Sequence, residues 1–438
     1  MSEAAARGIV ERLQAQGYQA LYAGGAVRDR LLGRAAQDFD VATEATPEVV
    51  MRLFPQHSSV GAAFGVVLVH EPEGSIEVAT FRTEASYRDG RHPEGVHYAR
   101  TAQEDVQRRD FTINGLLLDP RSGQILDYVG GRADLEAGVL RAIGEPGRRF
   151  GEDRLRMLRA VRFAARLGFV IEPATLAAIA RQAGEINQIS AERLRDEILK
   201  MLTEGRARRA FELLEETGLL TAVLPEVAAM RGVEQPPRFH PEGDVWTHTL
   251  LMLEALPHPV EAAVALGVLL HDVGKPKTFR RAPDRIRFDG HAAVGAAMAA
   301  DIAQRLRLAH AEAALVAAMV AEHMKWPELP KMRPSTRKRF LRQAGIEAQL
   351  TLLRLDCAAS HGDMSLYELA RQHLRELTPE ELRPPRLLTG EDLIAMGHRP
   401  GPQFREMLEA IEEAQLEGTL RDAPGARQFV SERFPVAH

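Results

Sequence analysis

Two aspartates near the N-terminus, Asp38 and Asp40, have the spacing of a metal-binding pair. Side chains alternate between the two faces of a β-strand, so residues two apart project from the same face. Phe39 and Val41 then turn toward the core. We therefore predict a strand that begins at Asp38 and offers two carboxylates to a divalent cation such as Mg²⁺.

A glycine pair, Gly24 and Gly25, precedes this strand and opens a predicted helix. Glycine has no Cβ, so a phosphate chain can approach the backbone closely, and a helix N-terminus adds free N–H groups and the positive end of a dipole. Beside a pair of metal-binding carboxylates, this turn predicts a site for a nucleoside triphosphate.

Asp153 and Arg156 lie three residues apart in a segment predicted to be one helix from Gly151 to Gly168, which would place them side by side. A carboxylate only accepts hydrogen bonds and a guanidinium only donates them. Together they match the pairing edges of cytosine and adenine, whereas uracil and guanine would each leave a partner unpaired. The pair therefore predicts selection of C and A, and the alternative is an ordinary surface salt bridge.

The elements that must position these groups read as a small mixed sheet with helices. Strands are predicted at 21–23, from Asp38, at 65–70 and at 75–81. The strand at 75–81 carries Glu77, which is either a third carboxylate near the metals or an exposed charge at a sheet edge. The helix at 151–168 has a buried stripe of Leu155, Leu158, Phe163 and Leu167.

The string GG-x-VRD-x-LLG followed by DFD closely resembles the signature of the nucleotidyltransferase superfamily, in the branch of bacterial class II tRNA CCA-adding enzymes and poly(A) polymerases. RRDFTIN at 108–114 resembles a further motif, with Gly115 where alanine is usual. Residues 152–156 resemble its EDxxR motif, and Ser190, Glu192 and Arg193 its S-x-ER segment. The resemblance covers roughly residues 21–202.

The resemblance implies catalysis by Asp38 and Asp40 with Mg²⁺. The predicted nucleotide-binding residues are Gly24, Gly25, Arg28, Arg109, Asp110, Asn114, Asp153, Arg156, Arg159 and Arg162. For Arg109 and Asp110 the alternative is a buried structural ion pair. The polar segment 83–100 resembles a family loop needed for adding the terminal A, with Asp89, Arg91 and Pro93 in place, and this favours complete CCA synthesis.

Histidines recur on apolar helices in the C-terminal half, where a single histidine is usually a core residue. The adjacent His271 and Asp272, with His248 upstream and Asp356 downstream, instead resemble the HD superfamily of metal-dependent phosphohydrolases. The resemblance implies these four as ligands, with His291 and His323 allowing a second metal. Imidazole and carboxylate ligands favour a transition metal such as Ni²⁺, Mn²⁺ or Co²⁺. The alternative is a metal-free helical body.

Composition sets the broad class. The 438 residues suggest several domains, and the single cysteine excludes an intramolecular disulfide and fits a reducing cytoplasm. No signal peptide or membrane span is expected. The net charge is −5, but residues 141–210 contain 15 Arg or Lys against 9 Asp or Glu. This local excess predicts an RNA-binding surface, unless it is only a solvated helical face.

The predicted fold class is an α+β nucleotidyltransferase head, with a small mixed sheet and helices, followed by an all-α neck, body and tail. The predicted domains are a head at 1–140, a neck for base recognition and RNA binding at 141–235, an HD domain at 236–375 and a tRNA-anchoring tail at 376–438. The resemblance implies addition of CCA to tRNA from CTP and ATP, with an additional phosphodiesterase or phosphatase activity. Alternatives are a CC-adding, A-adding or poly(A)-adding relative, or an RNA-associated phosphohydrolase.

Overall fold

A computed structural model describes residues 3–36, 38–59, 61–83 and 97–436. The chain divides into two compact units, Met1–Ala228 and Ala229–His438. The predicted loop at 83–100, with Asp89, Arg91 and Pro93, lies mostly outside the described residues. Among the helices of the described ranges, none combines the length and the apolar character that a bilayer crossing requires.

The first unit is built on one mixed sheet. Its strands are β1 Ala20–Ala23, β2 Asp40–Thr43, β3 His57–Ser58, β4 Val66–Glu71, β5 Gly74–Thr80, β6 Leu117–Leu118 and β7 Ile125–Leu126. They are ordered β3-β4-β5-β2-β1-β6-β7, and β2 pairs with β5 in parallel while the other neighbours are antiparallel. A further short parallel pair joins β8 Val139–Leu140 and β9 Val170–Ile171.

Helices cover the sheet and continue the first unit beyond it. They are α1 Glu3–Ala15, α2 Gly25–Leu31, α3 Pro47–Leu53, α4 Ala102–Gln107, α5 Gly131–Ala137, α6 Pro146–Glu152, α7 Leu155–Leu167, α8 Pro173–Gln182, α9 Ala191–Thr203, α10 Ala207–Glu216, α11 Leu219–Val223 and α12 Pro225–Ala228. Short 3-10 turns lie at Ala62–Phe64, Thr112–Asn114 and Ala183–Gln188. The four residues of β1 are all buried, which places this strand at the centre of the core.

The second unit is helical. It contains α13 Val245–Glu254, α14 Ala262–Leu270, α15 Lys275–Thr278, α16 His291–Arg305, α17 His310–Glu322, α18 Pro334–Leu341, α19 Ile346–Ala359, α20 Ser365–Glu376, α21 Pro379–Leu382, α22 Gly390–Ala395, α23 Pro402–Leu416 and α24 Ala423–Arg433, with a 3-10 segment at His323–Lys331. One hairpin of β10 Arg280–Arg281 and β11 Ile286–Arg287 interrupts it. The predicted fold class is confirmed, and the short β8/β9 and β10/β11 pairs are additions to it.

Two predicted boundaries are wrong. The strand predicted from Asp38 begins at Asp40, so Asp38 lies just before it. The helix predicted over 151–168 is broken, because α6 ends at Glu152 and Asp153 has an extended backbone with φ −145°. The buried stripe of α7 is nevertheless as expected, with Leu155, Leu158, Phe163 and Leu167 buried.

An ion pair inside the helical part of the first unit links α7 to α9. Nε of Arg162 lies 2.7 Å from Oε2 of Glu197, and the two side chains are 7% and 4% exposed. Glu204 gives the same guanidinium a second partner at 3.1 Å. Both charges are therefore shielded from water. The attraction between them offsets the free energy that each group loses when it gives up its hydration.

We expect Glu197→Gln to destabilise the first unit by about 3 kcal/mol, because it leaves the buried Arg162 charge partly unpaired. Glu212→Gln removes a half-exposed partner of Arg208 and should cost less than about 1 kcal/mol. Urea denaturation followed by circular dichroism compares the two variants with the wild type. Equal urea midpoints for the two variants would contradict a larger contribution of the Arg162–Glu197 ion pair to stability.

Candidate functional site

The glycine turn follows β1 and opens α2. Gly24 has φ +67°, a backbone conformation that favours glycine, and its N–H donates to the carbonyl of Leu116 at 3.2 Å. A Cβ at Gly24 would lie 3.4 Å from Nη1 of Arg109. Gly25 is the first residue of the helix. The turn therefore places the guanidinium of Arg109 next to backbone that carries no side chain.

Three carboxylates gather where β2 begins. The parallel register pairs Val41 with Val78, so Asp40 and Glu77 occupy neighbouring positions on β2 and β5. Desolvation by the surrounding protein is the largest cause that raises the pKa of Asp40, to about 6. Repulsion from Glu77 and, to a smaller extent, from Asp38 acts in the same direction. Glu77, left open between two roles by the sequence, thus lies within electrostatic reach of the predicted pair. We call Asp38, Asp40 and Glu77 the carboxylate site.

The residues of the carboxylate site fit a hard divalent cation. Their donors are all carboxylate oxygens, the ligands that Mg²⁺ prefers. Mutual repulsion disfavours charge on Asp40, and a bound cation would relieve that repulsion. Arg109 counteracts this repulsion, because its positive charge lowers the pKa of Asp40. The guanidinium of Arg109 is itself fixed by two hydrogen bonds, from Nε and Nη2 to Oδ2 of Asp105 at 3.1 and 2.9 Å.

A chain of polar contacts joins the glycine-turn helix to α7. Nη1 of Arg28 donates to Oδ1 of Asn114 at 2.8 Å, and Nδ2 of Asn114 donates to Oδ1 of Asp110 at 3.1 Å. Arg159 donates to Oδ2 of Asp110 from Nε and Nη2 at 2.9 and 2.7 Å. Burial would raise the pKa of Asp110, but Arg159 and these hydrogen bonds lower it. Four predicted nucleotide-binding residues therefore form one connected network.

Phe163 on α7 carries a group of arginines over its ring. The guanidinium carbons of Arg28, Arg159 and Arg162 lie 5.2, 5.2 and 4.4 Å from the ring centre. Arg162, predicted to bind nucleotide, is buried and paired with Glu197, so in this structure it contributes to the packing of α7 on α9. Arg159 keeps about one third of its side chain exposed and therefore remains accessible.

Asp153 and Arg156 do not form the side-by-side helical pair predicted from their spacing, because Asp153 lies before α7 begins. Oδ2 of Asp153 accepts from Nη2 of Arg193 at 2.8 Å, and Oδ1 accepts from the N–H of Leu155. Arg156 donates to Glu152 at 2.9 Å and to the carbonyls of Arg149 and Arg108. Each side chain is therefore fixed by its own partners, and Arg193 of the S-x-ER segment orients Asp153.

The histidines of the second unit converge, as the resemblance implied. Nε2 of His248 lies 3.2 Å from Oδ1 of Asp356, and Nε2 of His271 lies 3.1 Å from Oδ2 of Asp272. On the other side of Asp272, Oδ1 lies 3.6 Å from Nε2 of both His291 and His323. We call these six residues the histidine cluster.

The cluster offers two sets of potential metal ligands, and Asp272 belongs to both. His248, His271 and Asp272 form one set, and Asp272, His291 and His323 form the other, with the ligand atoms of each set within 4.8 Å of one another. Nε2 of His248 and of His271 are buried, and neither forms a hydrogen bond of acceptable geometry among the described residues despite the nearby carboxylates. Buried donors of this kind fit a metal ion, and one carboxylate between two sets fits a pair of ions.

Protonation of the metal-free cluster is uneven. Burial favours neutral His248, but the carboxylates of Asp356 and Glu242 outweigh burial and raise its pKa to about 9. Burial and neighbouring positive groups lower the pKa of His291 to about 4. Burial would raise the pKa of Asp272, yet His271 and Lys275 hold it well below its usual range.

Two residues outside the predicted set orient the cluster. Oε1 of Glu242 lies 2.6 Å from Nδ1 of His248 and 2.9 Å from Nδ1 of His240. A carboxylate on Nδ1 fixes the ring so that Nε2 points at a metal. Sequence reasoning missed both residues because they lie in the irregular segment before α13. Their signal was a histidine and a glutamate six to eight residues upstream of His248.

Family models match three parts of the chain. They are the poly(A) polymerase head domain over residues 20–141, the probable RNA and SrmB-binding site of polymerase A over 168–231, and the HD domain over 244–348. The first and third are metal-dependent domain types. The carboxylate site falls on the first, and five of the six residues of the histidine cluster fall on the third, while Asp356 lies beyond its end.

Curated relatives match somewhat more than half of the chain. A CCA-adding enzyme from Geobacillus stearothermophilus is 46% identical over 223 residues, covering 51% of this chain and 55% of that protein. A CCA-adding enzyme from Lactobacillus johnsonii is 38% identical over 266 residues, covering 58% and 66%. The chain therefore spans only about half to two thirds of the length of the curated relatives it matches.

Solved structures match along the whole chain. The Bacillus stearothermophilus CCA-adding enzyme in complex with CTP has a TM-score of 0.75 and 30% identity, covering 99% of this chain and 98% of that one. A Thermotoga maritima CCA-adding enzyme complexed with tRNA has a TM-score of 0.61 and 20% identity over 98% and 94%, and so shares the fold.

We expect metal binding at the histidine cluster to strengthen with rising pH up to about 9. A metal needs the lone pair of Nε2, and below its pKa metal-free His248 holds a proton that must leave. The apparent affinity for Co²⁺ should fall by up to about tenfold for each unit by which the pH is lowered below about 9. Calorimetric titration at pH 6, 7 and 8 measures it, in an Asp38→Ala, Asp40→Ala background that removes the carboxylate site.

The control for this titration is the exposed His310. His310→Ala should bind Co²⁺ with the wild-type pH dependence, whereas His248→Ala should lose most of the affinity. An affinity that stays constant between pH 6 and 8 would argue against a protonated His248 as a ligand.

Proposed function

This chain belongs to the family of CCA-adding enzymes, and we propose that it adds C, C and A to the 3′ end of tRNA from CTP and ATP without a nucleic acid template. The observation that carries the proposal is that Arg109 lies against the glycine turn and is near enough to Asp40 for its charge to lower the pKa of that carboxyl. A cation at a bare backbone turn beside clustered carboxylates suits a triphosphate bound with metal.

The reaction joins a nucleotide to the RNA end. The 3′-hydroxyl oxygen forms a bond to the α-phosphorus, and the bond from that phosphorus to the oxygen bridging to the β-phosphorus breaks. The hydroxyl proton passes to solvent water, and pyrophosphate leaves with the electron pair of the broken bond. Asp38 and Asp40 would hold Mg²⁺, with Glu77 beside them. Mg²⁺ bound there would supply the positive charge that lowers the pKa of the attacking hydroxyl and neutralises charge on the leaving group. Arg109 and the backbone at Gly24 and Gly25 bind the phosphates.

Base selection is assigned to Asp153 and Arg156. In their present positions each is fixed by protein partners, Asp153 by Arg193 and Arg156 by Glu152. Such fixed side chains favour selection, because a base of the wrong hydrogen-bond pattern cannot reorient them. The network of Arg28, Asn114 and Asp110 with Arg159 links this recognition segment to the glycine turn, and so contributes to nucleotide binding indirectly.

A second activity is assigned to the histidine cluster. We propose that His248, His271, Asp272 and Asp356 hold one transition metal, and His291 and His323 with Asp272 a second. Ni²⁺, Mn²⁺ and Co²⁺ suit these ligands. The buried Nε2 atoms without hydrogen bonds support metal binding. Hydrolysis of 2′,3′-cyclic or terminal phosphates on RNA ends is the proposed reaction.

The domain assignment follows from these sites. We propose the head at 1–140, the neck at 141–235, the HD domain at 236–375 and a tail at 376–438 that anchors tRNA. The family-model matches support the first three. The proposed substrates, tRNA, CTP and ATP, and the single cysteine of the chain fit a cytoplasmic location.

We expect a defined ladder from tRNA transcripts that end before CCA, after CC and after CCA. With Mg²⁺, CTP alone should add two residues, ATP should add one more after CC, and addition should then stop. Products are read on a gel at single-nucleotide resolution. Arrest at CC with both nucleotides, or extension into oligo(A), would replace the proposal with a specialised relative, and no extension would leave only the hydrolase.

Asp38→Ala and Asp40→Ala should each reduce this incorporation at least a hundredfold, because each removes a metal ligand. Glu73→Gln, an exposed carboxylate in the turn between β4 and β5, is the matched control and should be unchanged. Hydrolysis of 2′,3′-cyclic CMP with Ni²⁺ should persist in all three variants. Wild-type incorporation by Asp38→Ala would refute the assignment of the carboxylate site.

Asp153→Asn should weaken the discrimination against UTP by about tenfold or more. An amide in place of the carboxylate adds a donor that can pair with the O4 of uracil, and one mismatched hydrogen bond costs about 1–3 kcal/mol. The ratio of kcat/KM for CTP and UTP measures the effect. Glu185→Gln, which changes the partner of Arg154, is the control, and an unaltered ratio in Asp153→Asn would contradict the assigned role.

A further inference from the structure

Lys275 lies in an unusual position beside the histidine cluster. It is the first residue of α15, three residues after Asp272, and its side chain is 8% exposed. Its Nζ lies 2.7 Å from Oδ2 of Asp272 and donates to Oε1 of Gln235 at 2.7 Å. The ring of Phe288 lies 5.3 Å from the same nitrogen. The fold thus buries a cation next to residues that fit metal ions.

Close backbone packing holds Lys275 there. A Cβ at Gly274 would approach the carbonyl oxygen of His291 to 2.1 Å and the backbone nitrogen of Gly295 to 2.6 Å. Only glycine therefore allows α15 to lie this close to α16. The position of Lys275 is fixed by the main chain as well as by its own contacts.

Hydrogen-bonding capacity remains on this side of the cluster. An ammonium has three donors, and Asp272 and Gln235 accept two of them. Gln235 is 4% exposed, its Oε1 accepts from Lys275, and its Nε2 is buried without a hydrogen-bond partner among the described residues. A buried amide donor without a partner costs about 1–3 kcal/mol unless a ligand satisfies it. Two donors are therefore available beside the predicted metal ligands.

The charge balance of the cluster also favours an anion. Asp272, Asp356 and Glu242 supply three negative charges, and Lys275 returns one positive charge. Two divalent cations would leave the region positive. A carboxylate that coordinates metal also shares its charge with that metal, which leaves the charge of Lys275 uncompensated. An anionic oxygen next to Nζ restores the balance.

We propose that Lys275 and Gln235 bind the phosphoryl group of the substrate at the histidine cluster. Lys275 and Nε2 of Gln235 donate to non-bridging phosphate oxygens, and Gln235 also positions Lys275 through its Oε1. This proposal rests on the phosphohydrolase activity proposed above and assigns the residues that recognise its substrate. Gln235 lies outside the matched HD segment, so this part of the site is built by the preceding loop.

The test is calorimetric titration of inorganic phosphate into the full chain loaded with Mn²⁺. Lys275→Met should weaken phosphate binding at least tenfold and raise KM for 2′,3′-cyclic CMP by a similar factor. Gln235→Leu should produce a smaller loss in the same direction. Metal content after dialysis should equal that of the wild type, which reports that the histidine cluster is intact, and unchanged nucleotide addition reports that the first unit is unaffected.

Lys277→Met is the matched control, since Lys277 is an exposed lysine on the same short helix. It should bind phosphate as the wild type does. If Lys275→Met and Gln235→Leu keep wild-type phosphate affinity, or if phosphate and metal are lost together, the proposal is overturned and Lys275 only supports Asp272. If the wild type hydrolyses no phosphate ester with Mn²⁺, Co²⁺ or Ni²⁺, the hydrolase proposal fails, and the phosphate titration alone then decides the role of Lys275.

Discussion

Repulsion between carboxylates is the constraint on which the first unit depends. Asp38, Asp40 and Glu77 are held near one another although their charges oppose it, and desolvation by the surrounding protein together with repulsion from Glu77 raises the pKa of Asp40. The parallel pairing of β2 with β5 fixes the arrangement, because Val41 and Val78 are buried partners in the sheet. Burial of the apolar core supplies the free energy that offsets this repulsion. The sheet therefore keeps the three carboxylates near one another, as the proposed cation site requires.

Arginine side chains supply the positive charge that balances the carboxylates of the first unit. Arg109 faces the carboxylate site while Asp105 fixes it, and Arg159 is fixed in the same manner by Asp110. A planar guanidinium that makes two hydrogen bonds to one carboxylate loses little further freedom when it binds a ligand. The unit thus holds its cations in place by pairing them with buried acids. The same acids have lowered pKa values and stay charged at neutral pH.

The sequence predicted local features well and tertiary contacts poorly. The apolar stripe located α7, since it depends on short-range periodicity, whereas the strand predicted from the alternation around Phe39 begins two residues later than expected, at Asp40. The break at Asp153 was missed because the apolar stripe continues across it, while the extended Asp153 is held by Arg193, forty residues away. Glu242 and Gln235 were missed for a similar reason. They lie in an irregular loop, and only folding brings them to His248 and Lys275.

Donor chemistry allows two metal sites with different preferences to function in one chain. The carboxylate site offers only hard oxygen atoms, whereas the histidine cluster adds four imidazoles to its two aspartates. Imidazole nitrogen favours transition metals, and in cells Mg²⁺ is far more abundant than these. Under the proposed assignment, the two sites would therefore bind different ions. Because the second unit orients His248 through Glu242, its preference is set within that unit and does not depend on the chemistry of the first.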